Sequence, residues 1–160
     1  MSSVRSITPF LWFDANAEEA VNFYVSVFDN ARIIKIHRYT AAGPAPEGHV
    51  MTIDFELEGQ RFVALNGGPH YKFTPAVSFA VSCKTQADVD RMWARLTDGG
   101  QEVQCGWLVD KFGLSWQVWP EGVMELTGSD DRRKAEAAMR AMFTMKKLDI
   151  VALKKAYDAA

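Results

Sequence analysis

Cysteine is nearly absent: the 160 residues hold two, Cys83 and Cys105, far apart and with no second thiol or histidine at ligand spacing. That spacing excludes a cysteine-built metal pair, and two isolated thiols fit a reducing, cytoplasmic setting. An excess of either charge is also missing. With 18 Lys+Arg against 20 Asp+Glu the net charge is -2, which leaves no electrostatic footprint for nucleic acid or for an anionic membrane. No apolar stretch approaches the length of a membrane span, and MSSVRSITPF lacks the charged region and apolar run of a signal peptide. What is present is 48% hydrophobic and 24% charged residues, the composition of a soluble globular protein with one domain or two small modules sharing a core.

Ile7 to Phe13 is an apolar run that reads as a buried strand. Asn16 follows as a helix cap, with Glu19 completing a capping box, and Ala20, Phe23, Tyr24, Val27 and Phe28 fall on one helical face. Ala31 to Tyr39 reads as a second strand. Thr40 to Gly48, with two prolines and two glycines, is a loop. Val50 to Leu57 alternates apolar and polar as a half-buried strand, Glu58-Gly59 turns the chain, and Gln60 to Asn66 is the next strand. Gly67-Gly68-Pro69-His70 then breaks the pattern and marks a boundary between two halves.

The same order restarts after it. Ala76 to Ser82 is a strand, Thr85 caps a helix, and Val89, Met92, Trp93 and Leu96 form its apolar face before Gly99-Gly100. Each of these four lies 69 positions after Ala20, Phe23, Tyr24 and Val27, so one offset relates the two helical faces. Glu102 to Leu108 reads as a strand. Ser115 to Trp119 and Val123 to Thr127 read as a hairpin turned by Pro120-Glu121-Gly122. In that hairpin Met124 and Leu126 face a packed layer, and Glu125 faces the opposite way together with Gln117. Beyond it, Ser129 or Asp130 caps a helix bearing Ala135, Ala138, Met139, Met142 and Phe143, and Leu148-Asp149 starts a second. The expected architecture is α+β: two paired βαβββ modules, 5–68 and 74–128, form a curved mixed sheet around a cavity, and C-terminal helices span 130–158 of a single domain, 1–160.

Paired βαβββ modules, with Phe23-Tyr24 in the first helix and a terminal Val-Met-Glu-Leu segment, resemble the vicinal oxygen chelate superfamily, which includes glyoxalase I, bleomycin-resistance proteins and extradiol dioxygenases. ITPFLWFDANAEEAVNFY, ALNGGPHYKF, CGWLVDKFGLSWQV and KKLDIVALKKAY resemble its PhnB-like branch, labelled 3-demethylubiquinone-9 3-methyltransferase. The superfamily's metal enzymes take ligands from the first and last strand of each module. The helix-derived register carries those places to Ile7, Ala64, Ala76 and Glu125, and Ile and Ala offer no donor. No cofactor is therefore expected, and a divalent metal is disfavoured. A methyl donor is not expected either, since Gly67-Gly68-Pro69 precedes a strand and not a helix.

The same register puts Leu11, Phe62, Asn66, Ser78 and Gln117 on the cavity wall, with Asp54 a further candidate. This is a largely apolar pocket for a small organic ligand. Glu125, desolvated there, would act as proton donor or acceptor near neutral pH. His70 could serve as its partner at the cavity mouth, Trp107 and Lys111 could gate the pocket, and His37 and His49 are read as structural. Three functions stand open: a small-molecule binder with acid–base chemistry at Glu125, a non-catalytic sequestering module, and a metal-dependent lyase, isomerase or dioxygenase or the methyltransferase of the label. A homodimer is expected, because open sheet rims and tail helices leave apolar surface to cover.

Overall fold

The computed structural model describes residues 2–160 and divides into two compact units, one ending at Lys72 and one running Phe73–Ala160. The first contains β1 (Phe10–Phe13), α1 (Ala17–Val27), β2 (Ala31–Arg38), β3 (Val50–Leu57) and β4 (Gln60–Asn66), in a mixed sheet ordered β1-β4-β3-β2. The second contains β5 (Ser78–Cys83), α2 (Gln86–Thr97), β6 (Gln101–Glu102), β7 (Trp107–Val109) and β8 (Ser115–Pro120), ordered β5-β8-β7-β6. Three further helices follow in that unit: α3 (Val123–Thr127), α4 (Arg132–Phe143) and α5 (Ile150–Asp158). Each unit is thus a βαβββ module, with its first strand parallel to its last.

Helical spacing decides what each sheet buries. In α1 it aims Ala20, Val21, Tyr24 and Val27 at the sheet, where Tyr24 stacks on Phe55 at 6.4 Å and Phe55 on Phe62 at 5.4 Å. In α2 it aims Val89, Met92, Trp93 and Leu96 inward, and Thr85 caps the helix by accepting from the Asp88 amide. The Trp93 indole also donates to Glu102 Oε1 at 2.6 Å, which fastens α2 to the edge strand β6.

Asn16, read as the cap of α1, makes no side-chain cap bond. The exposed first amide is instead met from across the fold, where Asn66 Oδ1 at the end of β4 accepts from Ala17 N at 2.9 Å. At the tail the cap is Asp131, accepting from Lys134 N, and not Ser129 or Asp130. α5 starts where Leu148-Asp149 was expected to start a helix, and Asp149 caps it by accepting from Ala152 N.

The second half differs from expectation at two places. Val123–Thr127 is a helix and not the return strand of a hairpin. Both edges of β8 are already taken, by β5 and by β7, so a strand after Pro120 would have no partner. As a helix the segment buries Val123 against Leu148 and Leu153, with Leu126 packed alongside. The missing strand comes from Glu102 to Leu108, which is two strands folded back on each other. Cys105 and Gly106 turn it with φ of 59° and 81°, and a Cβ at position 106 would lie 2.9 Å from the Val118 carbonyl oxygen, so only glycine fits.

The face assignment of the first unit is also corrected. Leu11 and Phe13 are buried on the α1 side, whereas the matching positions on the α2 side are Val81, half-buried, and Cys83, buried. The strands therefore repeat at 70 (81 minus 11, 83 minus 13), and the helices at 69 (86 minus 17). A slip of one residue turns a strand over. Carrying the helix offset through the strands put Leu11 and Phe62 on a cavity wall, and they are core instead.

Candidate functional site

In the second unit the ladder sets Ala80 beside Gln117 and Gln117 beside Trp107, so the three share the sheet face turned away from α2. Ser78 and Ser82 fall on the same face by alternation, and Gln117 Nε2 donates to Ser78 Oγ at 3.0 Å. Three of the expected ligand-binding residues, Ser78, Gln117 and Trp107, thus come together. At the end of this face α3 closes a cleft of about 360 Å³, lined by Ala80, Ser82, Trp119, Pro120, Met124 and the two carboxylates Glu121 and Glu125. Glu125 reaches the face from a helix rather than from a strand. Its side chain folds back over Gly122 and is exposed, so the desolvation expected of it is missing.

The turn between β7 and β8 holds this face in register. Asp110 is 3% exposed, its Oδ1 accepts from Phe112 N and Leu114 N at 2.8 and 3.1 Å, and its Oδ2 accepts from the Trp116 indole at 2.8 Å. Lys111 projects from that turn, exposed, with Nζ 5.5 Å from the Phe112 ring centroid.

In the first unit Asp54 lies on the face opposite Phe55 and Phe62, with its carboxylate 3.8 Å from Arg61. Asn66 has both ends of its amide engaged: Oδ1 with Ala17, and Nδ2 donating to Val50 O at 3.1 Å. Its carbonyl accepts from the Tyr39 hydroxyl at 2.6 Å. It also borders a larger cleft, about 600 Å³, with Asp14, Glu18, Arg38, His49, Gly67 and His70 on the walls. His70 therefore belongs to a different unit from Glu125. Sequence reasoning did not find Asp14, Glu18, Arg38 or His49. They come from a helix start, a strand end and a loop, and no spacing motif links them; the sole signal was the length of the loop after Tyr39.

Among the described residues no three His, Cys, Asp or Glu side chains gather to bind an ion. Of the inherited ligand places, Ile7 and Ala76 precede their strands and Ala64 is fully buried. Gly67-Gly68 lead into a turn and no helix follows, so a methyl donor would lack the helix-backed amides that hold phosphate-bearing or nucleoside cofactors. Cys83 sits under α2, where burial, reinforced by the charge of Asp88 and opposed by Arg91, pushes its thiol pKa up to about 11. On the surface, Lys147 Nζ lies 2.7 Å from Asp90 Oδ1, and this bond together with Gln86 holds the Asp90 carboxyl below its ordinary range.

Residues 5–119 match the family described as 3-demethylubiquinone-9 3-methyltransferase; α3, α4 and α5, with Glu125, follow the matched stretch. A PhnB protein from Bacillus cereus given that same description is 38% identical, with 72% of this chain and 99% of that chain covered and a TM-score of 0.66. Protein PA1353 from Pseudomonas aeruginosa, at 19% identity, 74% and 98% coverage and a TM-score of 0.61, shares the fold. So does the fosfomycin resistance protein FosX from Mesorhizobium loti, at 15% identity, 74% and 92% coverage and a TM-score of 0.52. No curated protein matches. Two βαβββ modules and these relatives agree with the vicinal oxygen chelate superfamily, and within it the chain belongs to the 3-demethylubiquinone-9 3-methyltransferase-like family.

Proposed function

We propose that the protein binds a small organic molecule in the cleft at the end of β8, in the manner of a glyoxalase/bleomycin-resistance-type binding module. The observation that carries this reading is the cleft's make-up: Ala80, Trp119, Pro120 and Met124 form apolar walls, and Ser82, Glu121 and Glu125 are the few polar groups. Sites for small ligands combine such an apolar lining with a handful of orienting polar atoms. Glu125 holds a donor or a cationic group of the ligand, and Gln117, Ser78 and Trp107 extend the same face.

Sequestration is favoured over catalysis. An exposed carboxylate lacks the dry surroundings that suit a carboxyl group to general acid–base work at neutral pH. Neither a metal ion nor a methyl donor belongs to this reading; among the described residues no three His, Cys, Asp or Glu side chains gather. A homodimer belongs to it, since exposed Phe10, Phe143 and Val151 leave apolar surface for a second copy to cover. The setting is the cytoplasm, with no nucleic acid or membrane as partner; no helix among the described residues is long and apolar enough to cross a membrane.

The test is a thermal-shift screen of small amines and neutral aromatics, followed by Glu125→Gln and by Ser82→Trp, which fills the cleft. Binding lost in both variants, with unchanged unfolding midpoints in the absence of ligand, supports the site. Ligands indifferent to both changes would sink it. Turnover of a bound ligand by the parent but not by Glu125→Gln would replace sequestration by acid–base catalysis.

A further inference from the structure

We propose a second ligand site, in the first unit and independent of the Glu125 cleft, that takes a small zwitterion bearing an ammonium and a carboxylate group. The cleft of about 600 Å³ between the start of α1 and the loop after β2 has the matching division of charge. The α1 side supplies only carboxylates, Asp14 and Glu18. The strand-and-loop side supplies Arg38 and His49, and His70 comes from the turn after β4. A polyanion would be repelled by the two carboxylates and a simple cation by the Arg38 guanidinium. A zwitterion satisfies both.

The charged groups are available. The ion pairs Arg32–Glu56 and Arg61–Asp54 of this unit lie outside the cleft. Arg38 Nη1 donates to the Gly48 carbonyl at 3.1 Å, and a guanidinium has four further N–H groups to offer a carboxylate.

The walls are also built rather than merely adjacent. Tyr39 and His49 close the loop by Tyr39 N to His49 O at 2.8 Å and Gly48 N to Tyr39 O at 2.9 Å. Asn66 ties the start of α1 to the start of β3, and Tyr39 is tied to Asn66. Gly67 lies against the Trp12 ring so closely that a Cβ there would fall 2.3 Å from it, which keeps the backbone low at the cleft edge. A framework pre-set in this way spends little ordering entropy when a ligand arrives.

The probes are glycylglycine, β-alanine and glutamine, each with its N-acetyl and C-amide derivative, titrated into the ¹⁵N-labelled full chain. The zwitterions should shift the amides of Glu18, His49 and Gly68, and each blocked derivative should bind at least about 10-fold more weakly, the usual scale of a lost charge-assisted contact. Asp14→Asn combined with Glu18→Gln should weaken the zwitterions by a similar factor and leave the N-acetyl forms unchanged. Arg38→Gln should weaken both the zwitterions and the N-acetyl forms and leave the C-amide forms unchanged. No shift at these amides with any zwitterion at millimolar concentration overturns the proposal. Equal binding of zwitterions and blocked forms, or indifference to both variants, overturns it as well.

Discussion

Replacing Asp110 by asparagine should lower folding stability by about 2 kcal/mol, and by alanine about 4 kcal/mol, because a buried donor left without its acceptor costs about 1–3 kcal/mol. Asparagine keeps one oxygen for Phe112 N and Leu114 N but turns an NH₂ toward the Trp116 indole, so one buried donor loses its partner. Alanine strips all three. Phe112 N is only part-buried and can turn to water, which leaves the Leu114 amide and the Trp116 indole to bear the cost. Urea unfolding followed by far-UV circular dichroism measures both variants; fluorescence is unsuitable, since Trp116 is one of five tryptophans. Trp116→Phe removes the donor, so asparagine should cost about 1–2 kcal/mol less in that background. An Asp110→Asn protein within about 0.5 kcal/mol of the parent, or an equal cost in both backgrounds, would refute the account of this turn.

Asn66→Ala removes the cap of α1 and a tie to Val50 together and should cost about 2 kcal/mol in the same urea assay. Cys83, with its pKa raised from 9.0 to about 11, should resist alkylation at pH 8 while Cys105 reacts. Mass spectrometry of the two peptides decides this. Because the folded pKa is the higher one, the neutral Cys83 thiol supports the fold fully below 9.0, and that support is lost as pH rises through about 11. Lys147→Met should move the Asp90 carboxyl titration upward, as read by carbon-detected NMR. The contribution of that depressed carboxyl is present above its unfolded value and lost as pH falls.

How much was legible in the chain follows from the range of each force. The faces of α1 and α2, the Thr85 cap, the start of α5 at Leu148-Asp149 and the Glu58-Gly59 turn were legible, because each depends on residues within four positions of one another. The 69-residue repeat of the helices was legible for the same reason. Asn66 as the cap of α1 was not, since 49 positions separate donor and acceptor. Among the site residues, strand alternation placed Ser78 and Gln117 on one face, and the ladder adds Trp107, expected only as a gate beside the hairpin. Leu11 and Phe62 were turned the wrong way by a one-residue difference between helix and strand offsets, which alternation cannot detect from inside one strand.

Composition, periodicity and turn chemistry determined by themselves that the chain is a duplicated βαβββ protein with an added helical tail. Whether VMELT would be strand or helix was decided only in three dimensions. Its five residues suit either form, and the choice fell to what lay beside them: a sheet strand with no edge to spare, and Leu148 and Leu153 ready to cover Val123. The position of Glu125, and with it the shape of the cleft, follows from that competition for partners.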